Sequence, residues 1–357
     1  MKQTIAIICD FNAISDNTIS SGVGGSETWA IELSKQLSKN NYYVMIFSRE
    51  SNWYTTDYGV EYIPIQYLEH VISHVKINYT FIFRYIFQHT LDIIKKYINN
   101  HQTYWICHDT VAMLDNKNLT LDIIKNDDWL MHNINKFICM SDFGKRCIQH
   151  YIPIPDKFFQ VIGNGISFNL IPEEINNERD NNFFWSSRYE RGLDLFVNKV
   201  FPYIKEKYPE SKIYVAQYEG HLPDELLNHE DIIFLGKLGK SELYTEMQKH
   251  KVYFYPNFYP ETFCITVLEA ILCGNELVST FNHGLQTTLS LFKSELLEPT
   301  FDFNEDVCKN IANNIIEKME NYNDKNRMVI RNIMKTNIMT NYSWENIYQQ
   351  FKKYILV

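Results

Sequence analysis

Tyr259–Gly274 reads YPETFCITVLEAILCG and places two carboxylates, Glu261 and Glu269, eight positions apart. An apolar, strand-like run, VYFYPNFYP, leads into it, and a helical pattern follows. Eight positions is a little over two helical turns, so the pair lies near one face. A helix starting near Thr262 puts Glu261 at its mouth and Glu269 two turns inside. The amides of Thr262, Phe263, Cys264 and Ile265 then lack intrahelical partners, and free N–H groups at the positive end of a helix attract anions. One element would hold a phosphate on its backbone and hydroxyl groups on two carboxylates, a combination that suits a nucleotide-sugar. By spacing alone the bland reading is the commoner one: a glutamate at a helix start is an ordinary cap, and one two turns later usually faces solvent.

Working outward, short apolar runs alternate with helical patterns along all 357 residues. In the first half the strand candidates are 4–9, 42–48, 104–107, 136–140 and 158–162; in the second they are 181–187, 212–218, 231–236, 251–255 and 275–280. The aromatic region 71–105 reads as a buried strand followed by a helix, with an acceptor or membrane contact as the alternative. Strands alternating with helices predict parallel sheets with right-handed crossovers. Two such sets predict two Rossmann-like α/β domains, which also fits the length. A polar, Asn-rich and charged segment over 164–180 marks the boundary, giving domains 1–168 and 169–342. The chain ends in an amphipathic pattern around Trp344, Ile347, Phe351 and Ile355.

Composition narrows the function. A net charge of -9 argues against a nucleic-acid binder or a membrane-attracted basic face. The N-terminal apolar run is only a strand long, too short for a signal-peptide core or a transmembrane helix. Seven cysteines, an odd number without a C-x-x-C pair, indicate a reduced cytoplasmic protein and no zinc site.

Several loops carry polar chemistry at strand ends, where open parallel sheets bind ligands. ISSGVGGSETWA (19–30) brings Gly22, Gly24 and Gly25 ahead of a helix starting near Ser26, which permits close backbone approach to a ligand. The spacing is not G-x-G-x-x-G, so it does not read as a dinucleotide fingerprint. WICHDT (105–110) puts His108 and Asp109 past a strand, and Ser141 opens SDFGKR as a helix cap. FFWSSRYERGLDLFV (183–197) places Arg188 and Arg191 beside a strand end, and guanidinium groups pair bidentately with phosphate oxygens. IIFLGKLGKSEL (232–243) turns at Lys237 and Leu238, and STFNHGLQTTL (279–289) carries His283 and Gly284.

These motifs resemble the retaining GT-B glycosyltransferases, in particular glycosyltransferase family 4. The resemblance rests on the E-x7-E pair with its preceding Pro260, on Phe263 and on the EA…G ending. The glycine loop adds to it, as does a short R-x-x-R-G-L variant of the family's basic loop. It implies a GT-B fold whose C-terminal helix, 343–357, packs back on the first domain. It implies transfer of a sugar from a UDP- or GDP-linked donor to the hydroxyl of a carbohydrate or glycoconjugate acceptor, with retention, without a metal and without another cofactor. The absence of D-x-D agrees with this. The implied catalytic residues are Glu261, His108 and Arg188. The implied donor contacts are Gly24, Gly25, Arg188, Arg191, Lys237, Leu238, Phe263, Cys264, Ile265 and Glu269, with Glu269 on the ribose, Lys237 and Leu238 facing the base, and His283 and Gly284 approaching the sugar. Nucleotide-sugar 2-epimerisation on the same fold, or an inactive nucleotide-sugar-binding protein, are the alternatives.

Overall fold

The computed structural model describes residues 2–18, 22, 24–98, 102–110, 126–217, 221–295 and 303–356. Ile19, Ser20, Ser21 and Val23 of the glycine loop, and Tyr218 at one strand end, lie outside them.

Period-2 patterning builds the first core. In β1 (Thr4–Cys9) every residue is buried, and successive side chains enter different clusters. Ile5 and Ile7 face Trp29, Leu33 and Leu37 of the Gly25–Lys39 helix; Ala6 and Ile8 face Leu91 and Ile94 of the Gln88–Tyr97 helix. A strand apolar on both faces belongs inside a sheet covered by helices on each side. The sheet consists of β1, β2 (Tyr43–Ser48), β3 (Tyr54–Thr55), β4 (Val60–Pro64), β5 (Tyr79–Phe83), β6 (Gln102–Cys107), β7 (Ile134–Cys139) and β8 (Phe159–Val161), in the order β3-β4-β2-β1-β5-β6-β7-β8. Its ladders are parallel except for the short edge strand β3, which pairs antiparallel with β4. Neither β3 nor β4 stands out in sequence, because a two-residue edge strand and the mixed pattern VEYIP carry little periodicity.

The second sheet is parallel, in the order β11-β10-β9-β12-β13, from β9 (Asp180–Trp185), β10 (Ile213–Ala216), β11 (Ile232–Gly236), β12 (His250–Tyr255) and β13 (Glu276–Ser279). No helix among the described residues is long and apolar enough to cross a membrane. None of the seven cysteines forms a disulfide.

The long helix Lys325–Tyr342 stops at Ser343, whose extended backbone and side chain cap a final helix, Trp344–Tyr354. Its apolar face returns to the first domain: Phe351 packs on Trp29 and Phe81, and Tyr104 Oη donates to Ile355 O at 3.0 Å. The linker and this helix grip each other, since Ile166 N donates to Tyr342 O at 2.8 Å and the Trp344 ring lies over Gly165. A Cβ at Gly165 would meet ring atoms of Trp344 at 2.4–2.8 Å. Gly165→Ala is therefore expected to destabilise the protein by about 1–3 kcal/mol through overpacking, measurable as a lower urea midpoint with an unchanged m-value.

Candidate active site

In each sheet the strand order reverses once, between β1 and β5 in the first and between β9 and β12 in the second. Loops leaving neighbouring strands diverge there and open a crevice. In the second sheet, the chain beyond β9 supplies Arg188 and Arg191 and the chain beyond β12 supplies Glu261. The crevice joins two of them: Arg191 Nη1 donates to Glu261 Oε1, with the guanidinium 5.2 Å from the Tyr259 ring. Gly192, at φ 122°, lets the Arg191 loop press onto the backbone of Pro256, where a Cβ would stand 2.6 Å from Pro256 O. Arg188 bonds Glu190 at 2.8 Å on the exposed rim.

The helix after Glu261 differs from the sequence expectation. It spans Ile265–Leu272, and Cys264 is its N-cap in a left-handed conformation, φ 69°. Thr262, Phe263 and Cys264 are thus not helical, and Glu261 does not share the helix face with Glu269, which lies just over one turn inside. Tertiary bonds pull the segment off the helix axis. Gly284 N donates to Glu261 O at 2.8 Å, Thr288 Oγ1 donates to Phe263 O, and Thr262 Oγ1 donates to His108 O at 2.7 Å. The Phe263 side chain is buried over Gly163 and against Tyr342, which leaves only its backbone for a ligand. Burial pushes the Cys264 thiol up to about 12, keeping it protonated. The Ile265, Thr266 and Val267 amides form the first turn.

Glu269 is buried, and its Oε1 accepts from Lys240 Nζ at 2.5 Å and from Tyr244 Oη at 2.7 Å. Glu261 has the same arrangement, with Tyr255 Oη 3.1 Å from the oxygen that takes Arg191. Sequence reading missed Lys240, Tyr244 and Tyr255. The Lys240–Tyr244 spacing of one helical turn, and Tyr255 at the end of its strand, were the available signals.

The first domain closes over this surface. Gly22, at φ 86°, touches the Lys237–Leu238 turn, where a Cβ would come 2.6 Å from Leu238 O; Gly25 faces Ile265. The helix behind this loop starts at Gly25 on a Gly24 cap, one residue before Ser26. Ser26 is recruited elsewhere, bonding Glu27 and accepting from Arg84 Nη1 at 3.1 Å. Arg84, beyond β5 and at φ 61°, pairs with both oxygens of Asp109 at 2.9 Å and with Glu27 at 3.3 Å. Burial disfavours its charge, but Asp109 and Glu27 more than offset this and hold it charged above its ordinary range. Arg84 was also missed, although FIFR ends a strand at the switch point.

His108 sits beside this network with its ring 5.4 Å from Trp29 and 5.2 Å from Phe83. Its Nε2 is buried without a hydrogen-bond partner among the described residues. Burial, and then the Arg84 charge, hold its pKa well below the usual histidine value, so the ring is neutral. Ser141 caps the Asp142–Tyr151 helix at Gly144 N, 3.1 Å. Phe143 of that helix packs its ring, tilted, against His283 at 4.8 Å. Gly284 supports the Glu261–Thr262 backbone so closely that a Cβ would lie 2.3–2.5 Å from it.

Residues 180–316 match the family model described as Glycosyl transferases group 1. A chain of the human phosphatidylinositol N-acetylglucosaminyltransferase is 22% identical over 257 residues, covering 69% of this chain; the match spans about half (49%) of that relative's length. Among solved structures, sucrose-phosphate synthase from Thermosynechococcus elongatus superposes with a TM-score of 0.72 at 14% identity, covering 99% of this chain and 98% of the other. A Rickettsia africae glycosyltransferase gives 0.71 at 14%, with coverages of 99% and 98%. Anabaena HepE, solved in complex with UDP-glucose, gives 0.69 at 14%, covering 98% of each chain. The fold is GT-B, and the matches together support a glycosyltransferase.

His108 yields a pH prediction. The unfolded chain takes up a proton below about pH 6.5 that folded His108 refuses, so its contribution is present above that pH and lost as pH falls. In urea melts, the wild type is expected to lose stability relative to His108→Gln between pH 7 and pH 5, by at most about 1.4 kcal/mol per pH unit below 6.5. An unchanged difference would contradict a neutral ring.

Proposed function

We propose that the protein is a retaining, metal-independent glycosyltransferase of family 4. In this reading it moves a sugar from a UDP- or GDP-linked donor to a hydroxyl of a carbohydrate or glycoconjugate acceptor in the reduced cytoplasm. The observation that carries the reading is the Arg191–Glu261 pair at the switch point of the second sheet, facing the His108 loop of the first. In HepE, a chain of the same fold was solved with a UDP-sugar, which supports a donor of that class here.

Glu261 accepts hydrogen bonds from donor-sugar hydroxyls, and Glu269 accepts them from the ribose. The donor diphosphate competes with Glu261 for Arg191, with Arg188 reaching in from the rim. Negative charge growing on the leaving phosphate is stabilised by these guanidiniums and by the Phe263, Cys264 and Ile265 amides. Lys237 and Leu238, against Gly22, border the base; Gly24 and Gly25 bring the first domain's backbone to the donor. His108, being neutral, positions the sugar by hydrogen bonding, and its carbonyl fixes Thr262. Gly284 acts by holding the Glu261–Thr262 backbone in place, and His283 approaches the sugar. Closure of the domains excludes water and limits hydrolysis.

Thermal shift and turnover with a panel of UDP-, GDP- and ADP-sugars, with and without EDTA, test this. One donor is expected to raise the melting temperature, reflecting a stabilisation of about 2.7 kcal/mol at a hundred times Kd, unaffected by EDTA. Arg191→Ala is expected to lower kcat about 10²–10³-fold, and the product to keep the donor's anomeric configuration by NMR. Turnover unchanged in both Arg191→Ala and Glu261→Ala would contradict the site. Isomerisation of the donor without acceptor would identify an epimerase instead.

A further inference from the structure

The two carboxylates share a design. Glu261 Oε1 takes one cation, from Arg191, and one phenol, from Tyr255 at 3.1 Å. Glu269 Oε1 takes one cation, from Lys240, and one phenol, from Tyr244 at 2.7 Å. The phenols and the cations are held differently. Tyr255 ends β12 at 0% exposure, its ring tilted against Trp185 at 5.6 Å with Ser187 Oγ 3.4 Å away; Tyr244 is 2% exposed on the Lys240–Met247 helix. The Arg191 and Lys240 side chains are 20% and 15% exposed and sit on long, flexible stems.

The difference has a chemical consequence. A cation facing a diphosphate is drawn to it, and a carboxylate held only by that cation would be released as the ligand arrived. A buried phenol does not compete for phosphate charge. Burial, followed by the nearby acidic groups, keeps both tyrosines well above the usual phenol range, so they remain hydrogen-bond donors. An ionised carboxylate has about four acceptor sites, and a phenol fixing one oxygen leaves others for ligand hydroxyls.

We infer that Tyr255 and Tyr244 are positioning residues that fix the two carboxylates independently of the movable cations, Tyr255 aiming Glu261 at hydroxyls of the transferred sugar and Tyr244 aiming Glu269 at hydroxyls of the nucleoside. This rests on the donor-site reading above. It divides the donor: one tyrosine serves the part that is transferred, the other the part that leaves.

The test uses the full chain, with the nucleotide-sugar from the panel that most stabilises the wild type and its nucleoside diphosphate as probes. Tyr244→Phe is expected to weaken binding of both probes about tenfold with kcat within about twofold, the loss appropriate to one hydrogen bond to a charged group. Tyr255→Phe is expected to leave nucleoside diphosphate binding within about twofold while lowering kcat/KM about tenfold. Tyr255→Phe/Glu261→Gln and Tyr244→Phe/Glu269→Gln are expected to cost no more than the Gln variants alone, since each tyrosine acts through its carboxylate. Four results overturn the inference: either Phe variant matching the wild type in both readouts, both variants losing the two probes alike, additive double variants, or a Phe variant that does not fold, because that assigns the hydroxyl to the core. Glu269→Gln with wild-type nucleotide binding, or a wild type that binds no donor, removes the donor-site reading itself and the inference with it.

Discussion

The ion pair between Arg191 and Glu261 organises the cleft. It ties the loop leaving β9 to the loop leaving β12 where the strand order reverses. Both groups are largely buried, with side chains 20% and 9% exposed, so taking them out of water offsets much of their attraction. Such a pair is poor material for stability alone. It is suited to exchange: a ligand that brings its own negative charge and its own hydroxyls can satisfy both partners. Everything around the pair supports it. Tyr255 holds the carboxylate from below, Gly192 allows the arginine loop to approach, and Gly284 braces the backbone of Glu261.

The same residues couple the two domains. Thr262, next to Glu261, bonds the carbonyl of His108, and His108 adjoins Asp109, which Arg84 ties to Glu27 behind the glycine loop. A path of named contacts thus runs from the second sheet's switch point to the first sheet's. The last helix closes the arrangement from the far side, with Trp344 over Gly165 in the linker and Phe351 in the first core. The polar surface at both sheets' carboxyl ends is thereby held face to face.

Much of this was legible in sequence. The apolar runs of β1, β2, β6, β7, β9 and β12 announced two α/β sets, since strands buried on both faces leave continuous hydrophobic stretches. Glu261 and Arg191 were legible because they follow strands. What failed was local. The helix after Glu261 starts at Ile265 because tertiary hydrogen bonds from Gly284, Thr288 and Thr262 outweigh the helical propensity of three residues. Arg84 was obscure because a single cation inside an aromatic run has no spacing partner; Asp109 lies 25 positions away. Tyr244 and Tyr255 read as core, which they are, and only the fold shows that their hydroxyls end on the two carboxylates.

The most direct measurement is a crystal structure with the nucleotide-sugar that gives the strongest thermal stabilisation. The account predicts a diphosphate bonded to Arg191 and to the amides at the start of the Ile265–Leu272 helix, with sugar hydroxyls on Glu261 and nucleoside hydroxyls on Glu269. A donor bound elsewhere, or one bound in the crevice with the Arg191–Glu261 pair intact and untouched, would contradict it.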